Sequence, residues 1–481
     1  MFDLAIVGAG PAGVTAAVAA AAQGLQVVVV DEQRRSGGQI FRRPPPEFAG
    51  TEAKFSTGYP WARELLETAE NAEGIVWKFR TTTFGIFRDA EDETDVIRLA
   101  ISGPDGAEIV PARKLLIATG AYDLPVALPG WTLPGVMTAG AVQGFIKGQR
   151  LLVSERLVLA GSHPLLLVAA DQLRAAGADI VEVAFARGLP TLRECLGALP
   201  AVPGHVRLFT ETAIAIGRLI KAGVRISTHT IVTRALGNDH VEAVHLARVD
   251  SNWRVTGERR TIPTSTLVLG YGFQASTELA RQLGCTMLWN STKGGWVVVH
   301  DQNMATSVPG VFVAGEPTGV AGAEQSRAEG QLAGLAIVRE LNFNAVNSET
   351  LEARLEAARR SVNRAQKFSR VVQRVFAPQR EALTALATAD TVVCRCELVT
   401  RGEIDAVLIK NPHLSSVNAV KLECRSGMGP CQGRYCETAV QSLVATERHL
   451  PFEQIGYFAA HVPVKPVPLS AYTELDGPQD G

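Results

Sequence analysis

The segment from Phe2 to Asp31 constrains this chain more than any other. Leu4-Ala5-Ile6-Val7 reads as a buried parallel strand, and Gly8-Ala9-Gly10-Pro11-Ala12-Gly13 as a tight turn that opens a helix. An alanine-rich stretch continues the helix to about Gln23, and Leu25 to Val30 reads as a second strand ending on Asp31. Gly8 permits the turn, Gly10 lets the backbone approach a pyrophosphate, and Gly13 lets helix and strand pack closely, while the helix N-terminus faces the negative charge. Asp31 lies eighteen residues after Gly13, where a carboxylate accepts both ribose hydroxyls of an adenosine; Glu32 is the adjacent alternative. The pattern predicts an α/β fold whose first unit binds a dinucleotide, with Pro11 and Ala12 part of the binding turn.

Nicotinamide and flavin dinucleotides share this fingerprint, and three further segments select flavin. Gly37-Gly38-Gln39 follows the second strand, as in many flavoproteins with two dinucleotide domains. The strand and turn Leu115 to Ala121, with Thr119 and Gly120, resembles the return of the chain to the flavin domain in that class. Thr306 to Glu316 resembles the late flavin motif, in which an acid after the glycine (here Gly315) meets the ribityl chain. That acid is usually Asp, and Glu316 is one methylene longer.

Arg156 to Leu166, a following helix and the strand Asp179 to Phe185 repeat the plan of the first unit. Of the fingerprint only Gly161 survives. His163 stands at the close-approach position, Leu166 at the helix-packing position, and the second strand ends on Ala184-Phe185 without an acid. A side chain at the second position displaces a pyrophosphate, and ribose hydroxyls lose their acceptor. The expectation is that NAD(P)H is not the reductant, that His163 fills a disused pocket rather than acting in catalysis, and that Arg187 is a solvated charge rather than a contact for a 2′-phosphate. A thiol-disulfide reductase is also excluded: before the C-terminal cluster the cysteines are Cys195 and Cys285, read as small buried apolar residues rather than a reactive pair.

Cys394-Arg395-Cys396 and Cys431-Gln432-Gly433-Arg434-Tyr435-Cys436 bring four thiolates into one short C-terminal region. Soft anionic sulfur suits an iron-sulfur cluster; structural zinc is the alternative, for which a C-x-C pair is less usual. Thr400-Arg401-Gly402-Glu403 is a capping box that starts a helix, and Cys436 opens another. Before this module, Ser348 to about Ala387 reads as a helical connector broken at Pro378. Cys424 reads as a spare thiol whose replacement leaves the cluster intact; the alternative is a competitor for a ligand role, seven residues before Cys431. Arg42 and Arg43, beside Gly37-Gly38, carry two readings, holders of a carboxylate or salt-bridged loop residues.

Lys and Arg number 47 against 48 Asp and Glu, with no basic run alternating with aromatics, so nucleic acid is not an expected partner. The first strand has no basic region before it, and Gly8, Gly10, Pro11, Gly13 and Gln23 interrupt the apolar stretch, which reads as neither a signal peptide nor a membrane span. Seven cysteines, five of them beyond Asp390, fit a reducing cytoplasm better than a disulfide framework.

Taken together the residues resemble the A-type subunit of heteromeric flavin-dependent amine dehydrogenases: opine oxidases, hydrogen cyanide synthase, and dye-linked proline and D-hydroxyproline dehydrogenases. The resemblance runs through Gly37 to Ile40, Leu128 to Met137 around Trp131, Gly270 to Phe273 before Leu283-Gly284-Cys285, Val393 to Glu397 and Gly427 to Cys436, and fades after about His461. The C-terminal module by itself is similar to a small ferredoxin-type 2Fe-2S domain. The resemblance implies FAD, a 2Fe-2S cluster held by Cys394, Cys396, Cys431 and Cys436, and, in some relatives, an FMN lodged between subunits. It also implies that a B-type flavoprotein subunit, in some assemblies with a further small subunit, oxidises the C-N bond of an opine, proline, hydroxyproline or similar amino acid. This chain then relays electrons to a quinone or other acceptor, in a cytoplasmic hetero-oligomer with at most peripheral membrane contact. No catalytic residue is assigned to this chain. Cys424 and Glu316 depart from the relatives' pattern.

The expected architecture is two Rossmann-like domains of the pyridine-nucleotide-disulfide-reductase type plus a small helical iron-sulfur domain. Residues 1–125 and 300–345 form the FAD domain, 126–299 the degenerate nucleotide domain, 346–389 the connector, 390–450 the cluster domain and 451–481 a tail. The rival reading is a stand-alone NAD(P)H-dependent reductase of a ferredoxin or oxygenase.

Overall fold

Five parallel strands set the frame of the first unit in a computed structural model that describes residues 1–45, 59–88, 96–198, 205–341 and 348–475. The boundary expected at 345/346 and the last tail residues, 476–481, lie outside these, as does the side chain of Cys195. In order across the sheet come Ile75–Phe79, Val27–Asp31, Phe2–Val7 and Gly106–Ile117, with Val311–Val313 pairing the end of the last. Leu4, Ile6, Val27 and Val29 are fully buried on the face covered by helices, and Ala5, Val7, Val28 and Val30 are buried on the opposite face, so these strands are apolar on both sides. The first half of Gly106–Ile117 continues into an antiparallel flap with Ile97–Gly103 and Thr82–Arg88. The helix Pro11–Ala21 and the late helix Ala323–Glu340 lie against each other. They approach so closely that a Cβ on Gly330 would stand 2.1 Å from the Ala12 carbonyl oxygen.

The second unit is a five-stranded parallel sheet, Arg225–Ser227, Asp179–Phe185, Arg156–Gly161, Thr266–Gly270 and Val136–Thr138, with a three-stranded antiparallel sheet beside it. The chain passes between the units through a small ribbon, Ala121–Asp123 against Phe273–Ala275. This is the doubly repeated α/β architecture expected.

The connector forms one long helix, Ser348–Val375, which stops short of Pro378, and a short one, Arg380–Thr384. Pro378 forces the residue before it out of helical geometry. Beyond it, the bridge Val392–Cys394 with Val399–Thr400 leads to helices Arg401–Lys410, Val417–Cys424 and Glu437–Arg448. Val393, Cys394, Ile404, Cys436 and Val440 share one apolar core with Trp131 of the second unit and with Leu124 at the crossover between the units, so the C-terminal module is packed onto the α/β units.

The residues beyond 450 turn back over the molecule. Phe452 stacks on Trp289 with ring centres 4.2 Å apart, Phe458 is buried against Gly427 and Gly433, and the Val464 N–H donates to the Phe84 carbonyl at 2.9 Å. Glu474 accepts from the Ala107 N–H at 2.6 Å. Among the described residues no helix is long and apolar enough to cross a membrane.

Candidate flavin and iron-sulfur centres

The first turn has the shape a pyrophosphate needs. Gly8 has φ +108°, and a Cβ there would meet the Ala118 carbonyl oxygen at 2.3 Å; one on Gly13 would meet the Gly8 carbonyl oxygen at 1.9 Å. At Gly10 a Cβ would meet nothing within 4 Å, so the space above the helix N-terminus is open. Pro11 opens the helix, where its missing N–H costs nothing. Gly37 donates its N–H to the Ala9 carbonyl at 2.8 Å, and Gly38, at φ +58°, lies so close to the Gly10 Cα that a Cβ would be 2.7 Å from it. The exposed Gln39 reaches the Ala121 carbonyl at 3.4 Å.

Asp31 accepts from the Ala9 N–H and the Gln33 N–H, both at 2.6 Å, and burial pushes its carboxyl up from the usual range. Glu32 is exposed and pairs with Lys465 of the returning tail. The two neighbouring acids are thus different in kind: Asp31 closes the turn, and Glu32 is a surface group. Thr119 donates to the Ser276 carbonyl at 2.7 Å, and Gly120, at φ +77°, also has open space where a Cβ would be.

The late motif is built around an acid that no sequence pattern revealed. Glu329, 1% exposed, accepts from the Gly315 N–H at 2.8 Å, Thr318 Oγ1 at 2.9 Å and Gln325 Nε2 at 2.7 Å. Glu316 turns its oxygens to the Ala321 and Gly322 N–H groups at 3.1 and 2.9 Å, and burial pushes its carboxyl up to about 7. Its oxygens therefore cap a turn beside the motif. A Cβ on Gly315 would lie 3.0 Å from the Ala12 Cβ, which brings the early and late motifs together.

Arg42 and Arg43 divide. Arg43 pairs with Glu70 and reaches Ser36. Arg42 lies against Gly144 of the second unit and in the field of Asp31 and Asp123, with its Nε buried and unpartnered among the described residues.

The second turn is closed. The N–H groups of Ser162 and His163 both donate to the Gly270 carbonyl at 3.1 Å, so the turn before the helix has spent these donors on its own fold. The His163 ring meets Phe273 edge-on at 5.1 Å and Phe376 at 6.4 Å, its Nδ1 accepts from the Leu165 N–H at 3.2 Å, and burial holds it down to about 4. Leu166 fills the crossing of Gly161 and Gly270; a Cβ on either would come within 2.8 Å of its methyl groups. Arg187 is not the solvated charge expected: it pairs with Glu194 at 3.1 Å, donates to the Val375 and Gly188 carbonyls and covers the Phe376 ring. Cys285 is 3% exposed, with its Sγ 3.6 Å from Thr306 Oγ1.

In the C-terminal module the four thiols form two pairs. Cys436 bonds Cys394, which holds the Cys394 thiol down to about 6 and pushes Cys436 up; Cys396 is paired with Cys431, and Cys431 acts electrostatically on both pairs. Cys394 and Cys436 are buried, Cys396 and Cys431 half-buried. Among the described residues no group of three His, Cys, Asp or Glu converges on a single ion position. Four neighbouring thiols are the donor set that a 2Fe-2S cluster takes. Supporting backbone surrounds them: Gly427 donates its N–H to Cys394 Sγ at 3.5 Å, a Cβ on Gly429 would strike the Cys396 Cβ at 2.2 Å, and Cys436 is the N-cap of Glu437–Arg448. The capping box of Thr400 with Glu403 is complete. Cys424 ends the helix Val417–Cys424, which no sequence signal marked, and its Sγ bonds the Val420 carbonyl at 3.2 Å and Ser426 Oγ at 3.3 Å.

The cluster loop is locked to the flavin side. Arg434, between Cys431 and Cys436, donates to Tyr122 Oη at 2.9 Å and pairs with Glu278 at 3.1 Å; Tyr122 follows the Thr119-Gly120 turn. Arg281 pairs with Glu437 at 2.7 Å. On the opposite side Trp131 donates its Nε1 to the Val392 carbonyl at 2.6 Å and lies under Arg395, which gives the Leu128 to Met137 segment a physical role.

Residues 2–331 match the family described as pyridine nucleotide-disulphide oxidoreductase, and residues 392–446 the BFD-like [2Fe-2S] binding domain. The chain is 31% identical to the A-type subunit of opine oxidase from Agrobacterium tumefaciens (strain Ach5), covering 98% of this chain and 92% of that protein. It is 35% identical to the HcnB subunit of hydrogen cyanide synthase from Pseudomonas aeruginosa over 76% of this chain and 77% of that one. In fold it is similar to L-proline dehydrogenase from P. horikoshii, with a TM-score of 0.66, 19% identity and coverage of 98% and 79%. It also resembles T. acidophilum thioredoxin reductase, with a TM-score of 0.52, 20% identity and coverage of 71% and 99%.

Proposed function

Since the chain belongs to the pyridine nucleotide-disulphide oxidoreductase family, as a flavin-dependent oxidoreductase of the opine oxidase type with FAD and a 2Fe-2S cluster, we propose that it is the electron-transfer subunit of a heteromeric amine dehydrogenase. A B-type partner subunit removes two electrons from the C-N bond of an opine, proline, hydroxyproline or similar amino acid, and this chain passes them to a quinone or other acceptor. An FMN between the subunits belongs to the same proposal. FAD supplies a two-electron carrier and the cluster a one-electron carrier.

The protein's own part is to hold both sites at fixed separation. Gly8, Gly10, Gly13, Asp31, Gly37 and Gly38 shape the flavin turn, Glu329 pins Gly315, and the four thiols are the proposed ligands. The observation that carries the reading is the Arg434–Tyr122 contact, which joins the cluster loop to the segment that follows Gly120. The rival NAD(P)H-dependent reductase needs a second dinucleotide site where His163 and Leu166 stand.

The test is an anaerobic titration of the chain, with and without a co-purified B-type flavoprotein subunit, against a panel of opines, proline and hydroxyprolines. The expected result is bleaching of flavin and cluster bands by one amine class when the partner is present. Reduction of the lone chain by an amine would place the substrate site here and overturn the division of labour.

A further inference from the structure

Arg380 opens the short helix Arg380–Thr384 and is 7% exposed. Its Nε, Nη1 and Nη2 are all buried, and none has a hydrogen-bond partner among the described residues. Burial, with no opposing charge, holds its pKa down to about 10. Its aromatic neighbour is the Trp289 ring, 5.4 Å away. A guanidinium in that position is costly to the fold unless a negative charge stands within its field.

The neighbouring cavity shows where that charge belongs. Arg380 shares its walls with Leu124, Leu383, Val393, Thr438 and Leu443, and no acidic residue lines it. Val393 immediately precedes Cys394, and Thr438 lies in the first turn of the helix that Cys436 caps. Arg380 therefore shares a cavity wall with the elements that carry the buried thiol pair, among apolar side chains that screen weakly. Four thiolates with two irons and two sulfides carry net negative charge, which grows by one electron on reduction.

We propose that Arg380 is the buried counter-charge of the cluster, a positioning residue that acts through its field to favour the reduced state and raise the reduction potential. The proposal rests on ligation by Cys394, Cys396, Cys431 and Cys436. The charge has two opposed effects. It destabilises the cluster-free protein and stabilises the cluster-bearing one.

The experiment is potentiometry followed by electron paramagnetic resonance on the full chain, with iron and sulfide per chain measured on each sample, for wild type, Arg380→Met, Arg380→Lys and Leu383→Ala. Arg380→Met should keep its cluster and lower the reduced-to-oxidised ratio at the wild-type midpoint at least tenfold, a shift of about 59 mV for a one-electron couple. Arg380→Lys should stay near wild type, and Leu383→Ala, which enlarges the same cavity without touching the charge, should leave the potential in place. The cluster-free Arg380→Met protein should melt no lower than cluster-free wild type. If Arg380→Met takes up no cluster, Arg380→Gln is read by the same criterion. A full cluster with an unmoved potential in the neutral variant overturns the proposal, and so does an equal fall in Leu383→Ala. Wild-type protein without a 2Fe-2S signal defeats instead the ligation on which it rests.

Discussion

At Gly10 a methyl group would meet nothing within 4 Å, whereas at the matching turn of the second unit the Ser162 and His163 N–H groups are already bonded to Gly270 and the space is taken by His163, Leu166 and Phe273. The two strand-turn-helix-strand units share their backbone plan and differ in what stands at the close-approach positions. One backbone plan thus carries an open turn in the first unit and a filled one in the second. The second unit keeps its sheet, while His163 and Leu166 stand where the first has Gly10 and Gly13.

The comparison can be broken most severely at the helix crossings. Gly13→Val places side-chain atoms on the Gly8 carbonyl and should abolish flavin retention with a stability loss of about 3 kcal/mol or more, read by flavin absorbance per chain and thermal melting. Leu166→Ala should cost about 2–5 kcal/mol through the cavity it leaves yet retain flavin. Loss of flavin in both variants would erase the distinction between the units.

Next in size is the contrast among cysteines. Cys394→Ser should lose the cluster and keep the flavin, while Cys424→Ser should keep both, because the Cys424 thiol is already bonded to Val420 and Ser426; iron, sulfide and flavin per chain decide. Among the acids, Asp31→Ala strands the Ala9 and Gln33 N–H groups and should cost about 1–3 kcal/mol together with flavin affinity. Glu32→Gln breaks only the exposed pair with Lys465 and should cost less than about 1 kcal/mol.

A smaller effect is expected from pH. Burial lifts Glu316 to about 7 from an ordinary 4.5, so the folded chain holds a proton that the unfolded chain releases. Stability from this group is complete below about 4.5 and is lost as pH rises toward about 7. Urea unfolding of flavin-depleted protein across that window should show the decline, and Glu316→Gln should flatten it.

The sequence made the local features legible. The first fingerprint, the eroded second one, the helix break before Pro378 and the Thr400–Glu403 capping box are each encoded within a few residues, and the structure forms them where their chemistry demands. What stayed hidden depends on pairing across long stretches of chain. Glu329 reads as an ordinary helical acid until the fold sets it under Gly315. Arg187 reads as a surface charge until Val375 and Glu194 arrive beside it. The helix Val417–Cys424 has weak amphipathic patterning, and the residues beyond 450 gave no sign that Phe452 would stack on Trp289 or Lys465 would reach Glu32. The candidate ligands and flavin-turn residues were legible as residue types in order. Their pairing, Cys394 with Cys436 and Cys396 with Cys431, came only with three-dimensional placement.

The most direct measurement is anaerobic stopped-flow spectroscopy of the lone chain mixed with NADH or NADPH at millimolar concentration. The account expects the flavin and cluster bands to remain oxidised on the time scale of turnover, and to bleach once the amine is supplied to the same cell together with the partner subunit. Rapid bleaching by either nicotinamide alone would contradict it, because the turn closed by His163 and Leu166 would then be a working entrance for hydride.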